Sequence, residues 1–264
     1  NAFWNFQRVE TLIVESTFGG KEDIFQPRDE TNQRLAMLIN STISQGGSLL
    51  FPVPILGISQ ELLLILGRYA SMGNTLSAKI LIEKSVDEAS SIYESYLEYL
   101  SKEIKQELDQ YLGNLFRPPN SQIVESKRLR KGPHIIIAPS SMLTHGPSVY
   151  YLSQMRDEPD SAVVFTSYTL PNTPGLDLLE GKKDLMFNDA SLAVRCRVEN
   201  FEGLANHSDY GQILAYVKRL KPKLRRVIVN HGEKSKAQNL AGSISRILKI
   251  HTQHPLVEEA VKLV

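Results

Sequence analysis

The sequence has little that would crosslink it or hold it in a membrane. Its single cysteine, Cys196, excludes an internal disulfide and a cysteine-rich zinc knuckle, and is typical of a reducing compartment. The most apolar run, Leu62–Leu66, is far shorter than the roughly 20 residues that a membrane-spanning helix needs. The formal net charge is +1, so no overall field favours nucleic acid as a partner. We therefore expect a cytoplasmic protein with no membrane segment.

Several common catalytic fingerprints are missing as well. The sequence contains no P-loop, no G-x-S-x-G nucleophile elbow and no glycine-rich dinucleotide motif. It has no internal repeat and no low-complexity tract. With 42% hydrophobic and 22% charged residues, its composition is that of a globular protein.

Short apolar runs alternate with helix-like segments along most of the chain. The predicted strands are Thr11–Val14, Ser48–Val53, Ala78–Ile82, His134–Ala138, Ala162–Ser167, Leu192–Val198 and Arg225–Val229. The predicted helices are a segment from Pro27 to the Gly46-Gly47 pair, Ser59–Met72, Pro147–Met155, Asp209–Leu220 and Lys234–Leu248. The clearest helix has apolar residues at three- and four-residue steps from Ala89 to Tyr111. This alternation predicts an α/β fold with a largely parallel sheet.

Three polar residues lie where ligands gather in such folds, just beyond the carboxyl ends of strands or before a helix. Glu15 and His231 follow predicted strands, and His207 precedes a helix. Taken singly, each has an ordinary alternative: a glutamate caps a helix or meets an arginine, and a loop histidine is structural. His145, also before a helix, is either a turn residue or a phosphate contact.

Two basic clusters have two interpretations each. They are Lys127–Lys131, which contains four cations, and the set Lys221, Lys223, Arg225 and Arg226. Both are solvated faces in the simpler interpretation, and contacts for a nucleic-acid backbone in the other.

Five short segments occur in order over more than 200 residues: Glu15–Gly19, Phe51–Glu61, Ser140–Pro147, Asn206–Asp209 and His231–Glu233. In order and spacing they resemble motifs of the β-CASP nucleases in the metallo-β-lactamase superfamily. The family forms are Glu-Ser-Thr-Tyr-Gly, Pro-x-x-x-x-Gly-Arg-x-Gln-Glu, Ser-Gly-Met-x-x-Gly-Gly-Pro, Ser-x-His-x-Asp and His-Gly-Glu. The likeness is greatest to archaeal relatives of the nuclease subunit of the cleavage and polyadenylation specificity factor.

The resemblance implies a layout. A β-CASP domain with a mainly parallel sheet flanked by helices would occupy residues 20–195. Residues 1–19 would supply the last strand of the first metallo-β-lactamase half. Residues 196–264 would form the carboxy-terminal part of that αββα domain.

The resemblance also implies roles. Two zinc ions would serve the hydrolysis of RNA phosphodiesters. His231 would be a zinc ligand, and His207 would contact the scissile phosphate and protonate the leaving group while Glu15 orients it. Substrate would also contact four residues of the β-CASP part: Ser140, His145, Ser167 and Thr173. By the same resemblance, the carboxy-terminal tail from His251 would form a homodimer contact. The apolar residues of the tail leave a second interpretation, in which it covers the core of its own domain.

The sequence departs from the family pattern in two ways. In the family, the Glu-Ser-Thr-Tyr-Gly motif is preceded by a His-x-His-x-Asp-His motif, a further His and a bridging Asp. None of the six histidines in this sequence has the spacing of that His-x-His-x-Asp-His motif. We therefore expect the missing ligands upstream of Asn1, and the chain alone to be inactive and to bind zinc weakly. Ile58 and Leu176 also replace two family arginines of the kind that grip phosphates.

Two hypotheses about function follow. The chain is part of a zinc-dependent RNA endonuclease, with or without 5′-to-3′ exonuclease action, that serves RNA 3′-end processing or transcription termination. Alternatively it is a non-catalytic β-CASP paralogue that acts as an RNA-binding or scaffold subunit. Glu15, His207 and His231 favour the first hypothesis, and Ile58 and Leu176 favour the second.

Overall fold

A computed structural model describes residues 9–71, 77–110, 115–187 and 190–263. The chain divides into two compact units. The terminal unit holds the described residues up to Gln26 and those from His207 onward, and the central unit spans Pro27–Asn206. Every helix in the described ranges is too short or too polar to cross a bilayer.

The described residues form eleven strands and eight α-helices. The strands are β1 (Thr11–Glu15), β2 (Leu49–Pro52), β3 (Lys79–Glu83), β4 (Ser121–Val124), β5 (His134–Ala138), β6 (Ala162–Phe165), β7 (Asp184–Phe187), β8 (Ala190–Ala193), β9 (Arg197–Asn200), β10 (Arg226–Asn230) and β11 (His251–Gln253). The helices are α1 (Arg28–Ser44), α2 (Ile58–Ser71), α3 (Lys84–Ser95), α4 (Lys102–Gln110), α5 (Pro147–Met155), α6 (Pro174–Leu179), α7 (Tyr210–Leu220) and α8 (Lys234–Ser243).

A six-stranded parallel sheet organises the central unit, with strand order β4-β3-β5-β2-β6-β9. Alternate residues of each strand face opposite sides, so Leu49 and Phe51 enter one core cluster and Leu50 enters the other. Residues of α1 and α2 pack in the first cluster, and residues of α5 and α6 pack in the second. Burial on both faces explains why the inner strands β2, β5 and β6 are almost purely apolar, whereas the edge strands β4 and β9 carry polar residues.

A smaller parallel sheet, ordered β1-β10-β11, organises the terminal unit. Val227 and Val229 of β10 pack with residues of α7 and α8 in a third core cluster. α8 continues into a π-helical turn, Ile244–Leu248, which ends at Lys249 in the left-handed conformation. The prediction of an α/β fold with mainly parallel sheets flanked by helices is confirmed, and β7 and β8 add one antiparallel pair.

Two predicted elements are wrong in their boundaries. The run predicted as one strand, Leu192–Val198, is divided between β8 and β9, which lie in different sheets. Cys196 is fully buried between them, and the backbone N–H groups of Arg195 and Cys196 donate to the carbonyl of Arg156. The chain therefore leaves the β7–β8 pair at Ala193 before it joins the six-stranded sheet at Arg197.

The long helix predicted from Ala89 to Tyr111 is two helices, α3 and α4, with a short 3₁₀ turn between them. The break has a local cause, because the Ser101 hydroxyl accepts a hydrogen bond from the N–H of Ile104 and so favours a new helix start. The apolar periodicity survives the break because Tyr93, Leu100 and Ile104 pack on the same core. Tyr111 and the predicted helix end Met72 lie outside the described residues.

Two segments that are interrupted by proline and glycine nevertheless contain regular structure. Phe116–Gly132 includes β4, and Pro171–Asp189 includes α6 and β7. The compact units divide at 26/27 and 206/207. Because β9 pairs with β6, residues up to Asn200 share the sheet of the central unit, beyond the family boundary expected at residue 195.

Candidate functional site

Glu15 and His231 come together because β1 and β10 are neighbouring parallel strands. Their register pairs Glu15 with Asn230, so the residues that follow both strands leave the sheet at the same edge. Two hydrogen bonds join the departing loops: the Ser16 N–H donates to the carbonyl of His231 at 3.0 Å, and the Ser16 hydroxyl donates to the carbonyl of Asn230 at 2.8 Å. The position of His231 is therefore fixed through its own backbone.

His231 has a left-handed backbone conformation, with φ of 49°. Few non-glycine residues adopt it, although histidine and asparagine do so more often than most. The Asn230 side chain supports the turn by accepting the N–H of His231 at 2.8 Å. Gly232 is required next, since a Cβ there would lie 2.4 Å from both the carbonyl oxygen and the hydroxyl of Ser16.

His207 is held at the start of α7 by the helix cap two residues later. Asp209 and Gln212 form a capping box, in which the Asp209 carboxylate accepts the N–H of Gln212 at 2.7 Å and the Gln212 side chain accepts the N–H of Asp209. The second oxygen of Asp209 accepts the N–H of Phe25 at 2.9 Å. The buried Asp209 carboxylate thus ties the loop that carries His207 to the segment that follows β1.

The three polar side chains converge on one point. Glu15 Oε2 lies 3.3 Å from Nδ1 of His207 and 4.0 Å from Nδ1 of His231. The two imidazole rings stack with centroids 5.6 Å apart and an interplanar angle of 22°. One ligand-type atom from each of the three residues lies within 4.8 Å of the others, the only such group of three His, Cys, Asp or Glu side chains in the described ranges.

Further contacts fix the ring nitrogens. The Glu15 carboxylate accepts the N–H of Thr17 at 2.8 Å, which holds it beside His207. The Thr17 hydroxyl lies 3.2 Å from Nδ1 of His231. Since Nδ1 of each ring faces Glu15 or Thr17, Nε2 is the nitrogen that each histidine can present to a ligand.

An ion pair and an aromatic pair support the loop beneath these residues. Lys236 Nζ lies 3.0 Å from the Asp23 carboxylate, which also accepts the N–H of Gly20 at 2.8 Å. The same ammonium lies 5.4 Å from the ring centroid of Phe18, and Phe25 packs edge-on against that ring at 4.8 Å. Phe18 is fully buried and lies 6.3 Å from the His207 ring.

Sequence reasoning identified Glu15, His207 and His231 but missed most of the residues that hold them. Asp23 and Lys236 carry no motif, and only their contacts reveal them. Thr17 was within a motif, yet its contact with His231 depends on the pairing of β1 with β10, which no local pattern encodes.

The four predicted substrate contacts of the central unit all follow its strands. Ser140 and His145 lie in the loop after β5, where their side chains are joined through the hydroxyl of Thr144 at 3.1 and 2.9 Å. Thr173 is the N-cap of α6, and its hydroxyl also donates to the carbonyl of Leu170 at 2.7 Å. Ser167 follows β6, and its buried hydroxyl has no hydrogen-bond partner in the described part of the chain.

The loop after β5 and the start of α6 are neighbours. The N–H of Gly175 donates to the carbonyl of Met142 at 2.9 Å, and a Cβ on Gly175 would meet that oxygen at the same distance. Ser140, His145 and Thr173 therefore belong to adjoining loops at the carboxyl edge of the six-stranded sheet, where Ser167 also emerges.

Comparison with known families gives two matches. A family described as the Beta-Casp domain matches residues 59–178, and one described as the Zn-dependent metallo-hydrolase RNA specificity domain matches residues 191–255. The second range contains His207 and His231 and all of α7, β10 and α8.

Comparison with individual proteins gives relatives named transcription termination factor FttA. The chain is 37% identical to that of Cenarchaeum symbiosum over 99% of this chain and 42% of the relative. It is 34% identical to those of Thermococcus kodakarensis and Pyrococcus horikoshii, over 98% of this chain and 41% of each relative. The chain thus spans about two fifths of the length of the curated relatives that it matches.

Proposed function

Because the chain belongs to the β-CASP family of metallo-β-lactamase-fold nucleases, we propose that it forms part of a zinc-dependent ribonuclease acting in RNA 3′-end processing or transcription termination. The observation that carries the proposal is the convergence of Glu15, His207 and His231 within 4.8 Å on neighbouring strand and helix ends. The description of the second matching family as an RNA specificity domain, and the name of the relatives, support RNA as the substrate.

His207 is the general acid in this proposal. Glu15 Oε2 faces Nδ1 at 3.3 Å, so it fixes the ring orientation and directs Nε2 away from the carboxylate. Nε2–H would then donate to the scissile phosphate and pass its proton to the leaving oxygen. Phe18 and the stacked ring of His231 restrict the other motions of the imidazole.

The donor set fits one part of a zinc site. His231 offers Nε2, while the Thr17 hydroxyl at its Nδ1 gives the outer hydrogen bond typical of metal-binding histidines. Catalytic zinc normally has three protein ligands, so with Glu15 and His207 assigned to proton transfer the chain supplies one. We propose that other parts of the protein supply the rest, and that the 264 residues alone bind zinc weakly and are inactive. Zinc, when bound, supplies Lewis acidity to the phosphodiester.

The central unit would hold the RNA backbone. Ser140, His145 and Thr173 present hydroxyl and imidazole groups on adjoining loops, and the buried hydroxyl of Ser167 lacks a hydrogen-bond partner among the described residues. An unsatisfied buried donor costs about 1–3 kcal/mol, and a phosphate oxygen would remove that cost. These four residues are proposed as phosphate contacts on that basis.

The test uses the full-length protein with single substitutions and two readouts, RNA cleavage and bound zinc. His207→Ala should reduce cleavage by about 10²–10⁴-fold and leave the zinc content unchanged, because it removes the acid and no ligand. His231→Ala should lower the zinc content. Glu15→Gln should reduce cleavage by about 10–100-fold at constant zinc.

His251→Ala is the matched control, since His251 is an exposed histidine in β11 away from the three converging groups. It should change neither readout. Full cleavage by His207→Ala would remove the assigned role of His207, and unchanged zinc in His231→Ala would remove His231 from the ligand set.

The alternative function, a non-catalytic RNA-binding or scaffold subunit, has one structural observation in its favour. Ile58 occupies the place of a family arginine, and it is buried in the apolar core of the central unit with 4% of its surface exposed. If this alternative is correct, the full-length protein binds RNA but does not cleave it, and His207→Ala changes neither property.

We also propose that the carboxy-terminal tail mediates a homodimer. The tail is held by Arg226, whose guanidinium donates to the carbonyl of Lys262, yet none of its apolar side chains among the described residues belongs to a core cluster. Leu256, Val257 and Leu263 are 57%, 95% and 51% exposed, which disfavours the prediction that the tail covers its own domain. Leu256→Asp with Val257→Asp should convert a dimer to a monomer in sedimentation equilibrium, and an unchanged mass would refute the contact.

A further inference from the structure

The connection between β4 and β5 is unusual for a parallel sheet. Such connections are normally built on a helix, but residues 125–133 run from the carboxyl end of β4 to the amino end of β5 without one. Since β3 lies between β4 and β5 in the sheet, the connection crosses over β3. Within it, residues 126–131 contain Lys127, Arg128, Arg130 and Lys131 and are called the basic strap.

Side chains from β3 and α5 hold the backbone of the basic strap. Glu83, a buried carboxylate at the end of β3, accepts the N–H of Ser126 at 2.8 Å and the hydroxyl of Tyr151 at 2.7 Å. The Tyr151 oxygen in turn accepts the N–H of Lys127 at 3.1 Å. Gln154, one turn further along α5, accepts the N–H of Leu129 at 2.9 Å. Three of the strap's N–H groups are thus fixed by side chains, which is the anchoring that a rigid binding surface needs.

The charged side chains of the basic strap are exposed to solvent. Leu129 packs against the second core cluster, whereas Lys127, Arg128, Arg130 and Lys131 are exposed. None of these four cations forms an ion pair with any residue that the structure describes, and the nearby Glu125 is paired with Lys84 at 3.7 Å. Four exposed cations in five residues give a local positive field that the net charge of +1 does not reveal.

The two ends of the basic strap differ. At the amino edge of the sheet, Arg130 and Lys131 line a cleft of about 390 Å³ together with Asp157 and Glu158, whose charges oppose anion binding. Lys127 lies at the opposite end, because the N–H groups of Ser126 and Lys127 are held at the carboxyl end of β3. The strongest attraction for phosphate is therefore at the end occupied by Lys127 and Arg128.

That end lies at the edge of the sheet where the proposed phosphate contacts Ser140 and Ser167 emerge, since all six strands are parallel. An aromatic ring is also close by: Tyr150 is 38% exposed and precedes Gln154 by four residues, which places the two on one face of α5. Cations along a track beside an exposed ring are the combination that binds single-stranded nucleic acid through phosphates and base stacking.

We propose that the basic strap is a second contact surface for single-stranded RNA, which extends the path of the strand from the carboxyl edge of the central sheet onto the surface beside α5. Lys127 and Arg128 contact the phosphates, and Glu83, Tyr151 and Gln154 position the strap. The inference depends on the proposed function in one respect, the identity of the ligand as RNA.

The test measures binding of a fluorescent single-stranded oligouridylate to the full-length protein by anisotropy over a range of salt concentrations. Lys127→Ala with Arg128→Ala should weaken binding about tenfold near 0.1 M salt and reduce the salt slope by about 1.4, since each lost phosphate contact on a single strand removes about 0.7. Arg130→Ala with Lys131→Ala should have a smaller effect on both quantities. Lys221→Ala with Lys223→Ala removes two exposed cations from the other basic cluster and should leave both unchanged.

The positioning role needs a separate variant, because loosening the strap removes no charge. Tyr151→Phe keeps the ring but deletes the hydroxyl that joins Glu83 to the N–H of Lys127. It should weaken RNA binding about threefold while the salt slope stays that of the wild type. A slope that falls with Tyr151→Phe, or an affinity that does not change, contradicts the positioning role.

Three outcomes overturn the proposal: equal losses in the strap and control variants, a loss in the control alone, or no loss in either. Cleavage by wild-type protein is measured on the same RNA. If binding depends on the strap but the RNA is not cleaved, the nuclease proposal is refuted and the strap proposal stands. If the RNA is cleaved but the strap variant binds it as tightly as the wild type, the strap proposal is refuted and the nuclease proposal stands.

Discussion

Gly232 is the residue whose substitution should most directly disturb the placement of His231. A Cβ at this position would lie 2.4 Å from the Ser16 carbonyl oxygen and 2.4 Å from its hydroxyl. Neither atom is free to move, since the Ser16 N–H is bonded to the carbonyl of His231 and its hydroxyl to that of Asn230. Gly232→Ala therefore has to push the loop after β1 away from the loop after β10.

The loss of stability expected for Gly232→Ala follows from the atoms of Ser16 that must move. Overpacking by one methyl group typically costs about 1–3 kcal/mol, and we expect the upper half of that range here because backbone atoms oppose the new Cβ. Urea unfolding followed by circular dichroism should show a loss of about 2–3 kcal/mol. Hydrogen exchange by mass spectrometry should show faster exchange at the Ser16 amide, because the bond to His231 is the first to lengthen.

Gly242→Ala is the matched control, because Gly242 lies in the exposed part of α8 and a Cβ there meets no atom within 4 Å. That substitution should stabilise the protein by about 0.5–1 kcal/mol, the advantage of alanine over glycine in a helix. Equal stability of the Gly232→Ala and wild-type proteins, with unchanged exchange at Ser16, would refute the claim that close contact between the two loops requires this glycine.

Two further predictions concern buried titratable groups. Burial raises the pKa of the Cys196 thiol to about 11. Iodoacetamide should therefore leave this thiol unmodified in the folded protein at pH 8 and label it in denaturant. The stability that the thiol contributes should fall as pH rises from about 9 toward 11, because the unfolded chain ionises first. Burial also lowers the pKa of His134, which is then more easily protonated in the unfolded chain, so stability should fall as pH drops below about 6.5. His134→Gln should flatten that acid limb in urea titrations, and an unchanged limb would assign it to other groups.

The inner strands β2, β3, β5 and β6 of the central sheet could be predicted from sequence because they are buried on both faces. His134–Ala138 was predicted with its observed boundaries, and its five residues are all buried. β9 has no such signal: its residues Arg197–Asn200 are each half-buried, and three of the four are charged or amide-bearing. It is a strand because β6 offers it a free edge, which is a property of the assembled sheet rather than of the segment.

The candidate site was likewise predictable only in part from the sequence. Glu15, His207 and His231 could be found because each terminates or precedes an element whose pattern is clear, and because the surrounding motifs resemble a family. Their mutual distances could not be found, since Glu15 and His231 meet only through the pairing of β1 with β10 across more than 200 residues. The basic strap required the structure for a similar reason: Lys127–Lys131 has the composition of any solvated loop, and its anchors Glu83 and Tyr151 are distant in sequence.

Ile58 and Leu176, the two positions at which the family has an arginine, differ in whether an arginine can be introduced there. Ile58 is buried in the core, so Ile58→Arg would place a charge among apolar side chains and should destabilise the protein rather than restore a contact. Leu176 is half-buried in α6, beside the loop that carries Ser140, to which Gly175 is hydrogen-bonded through Met142. Leu176→Arg should raise RNA affinity about fivefold, the effect of roughly 1 kcal/mol from one charged contact.

Leu176→Gln is the neutral control for that substitution, since it introduces a polar side chain without a charge. It should leave the affinity within about twofold of the wild type, and the arginine variant should also show a steeper salt dependence by about 0.7. An arginine that changes neither affinity nor slope would place the RNA away from the start of α6 and would favour the scaffold function for this edge of the sheet. A gain in both, with cleavage dependent on His207, would support an RNA contact at the start of α6 together with the proposed acid role of His207.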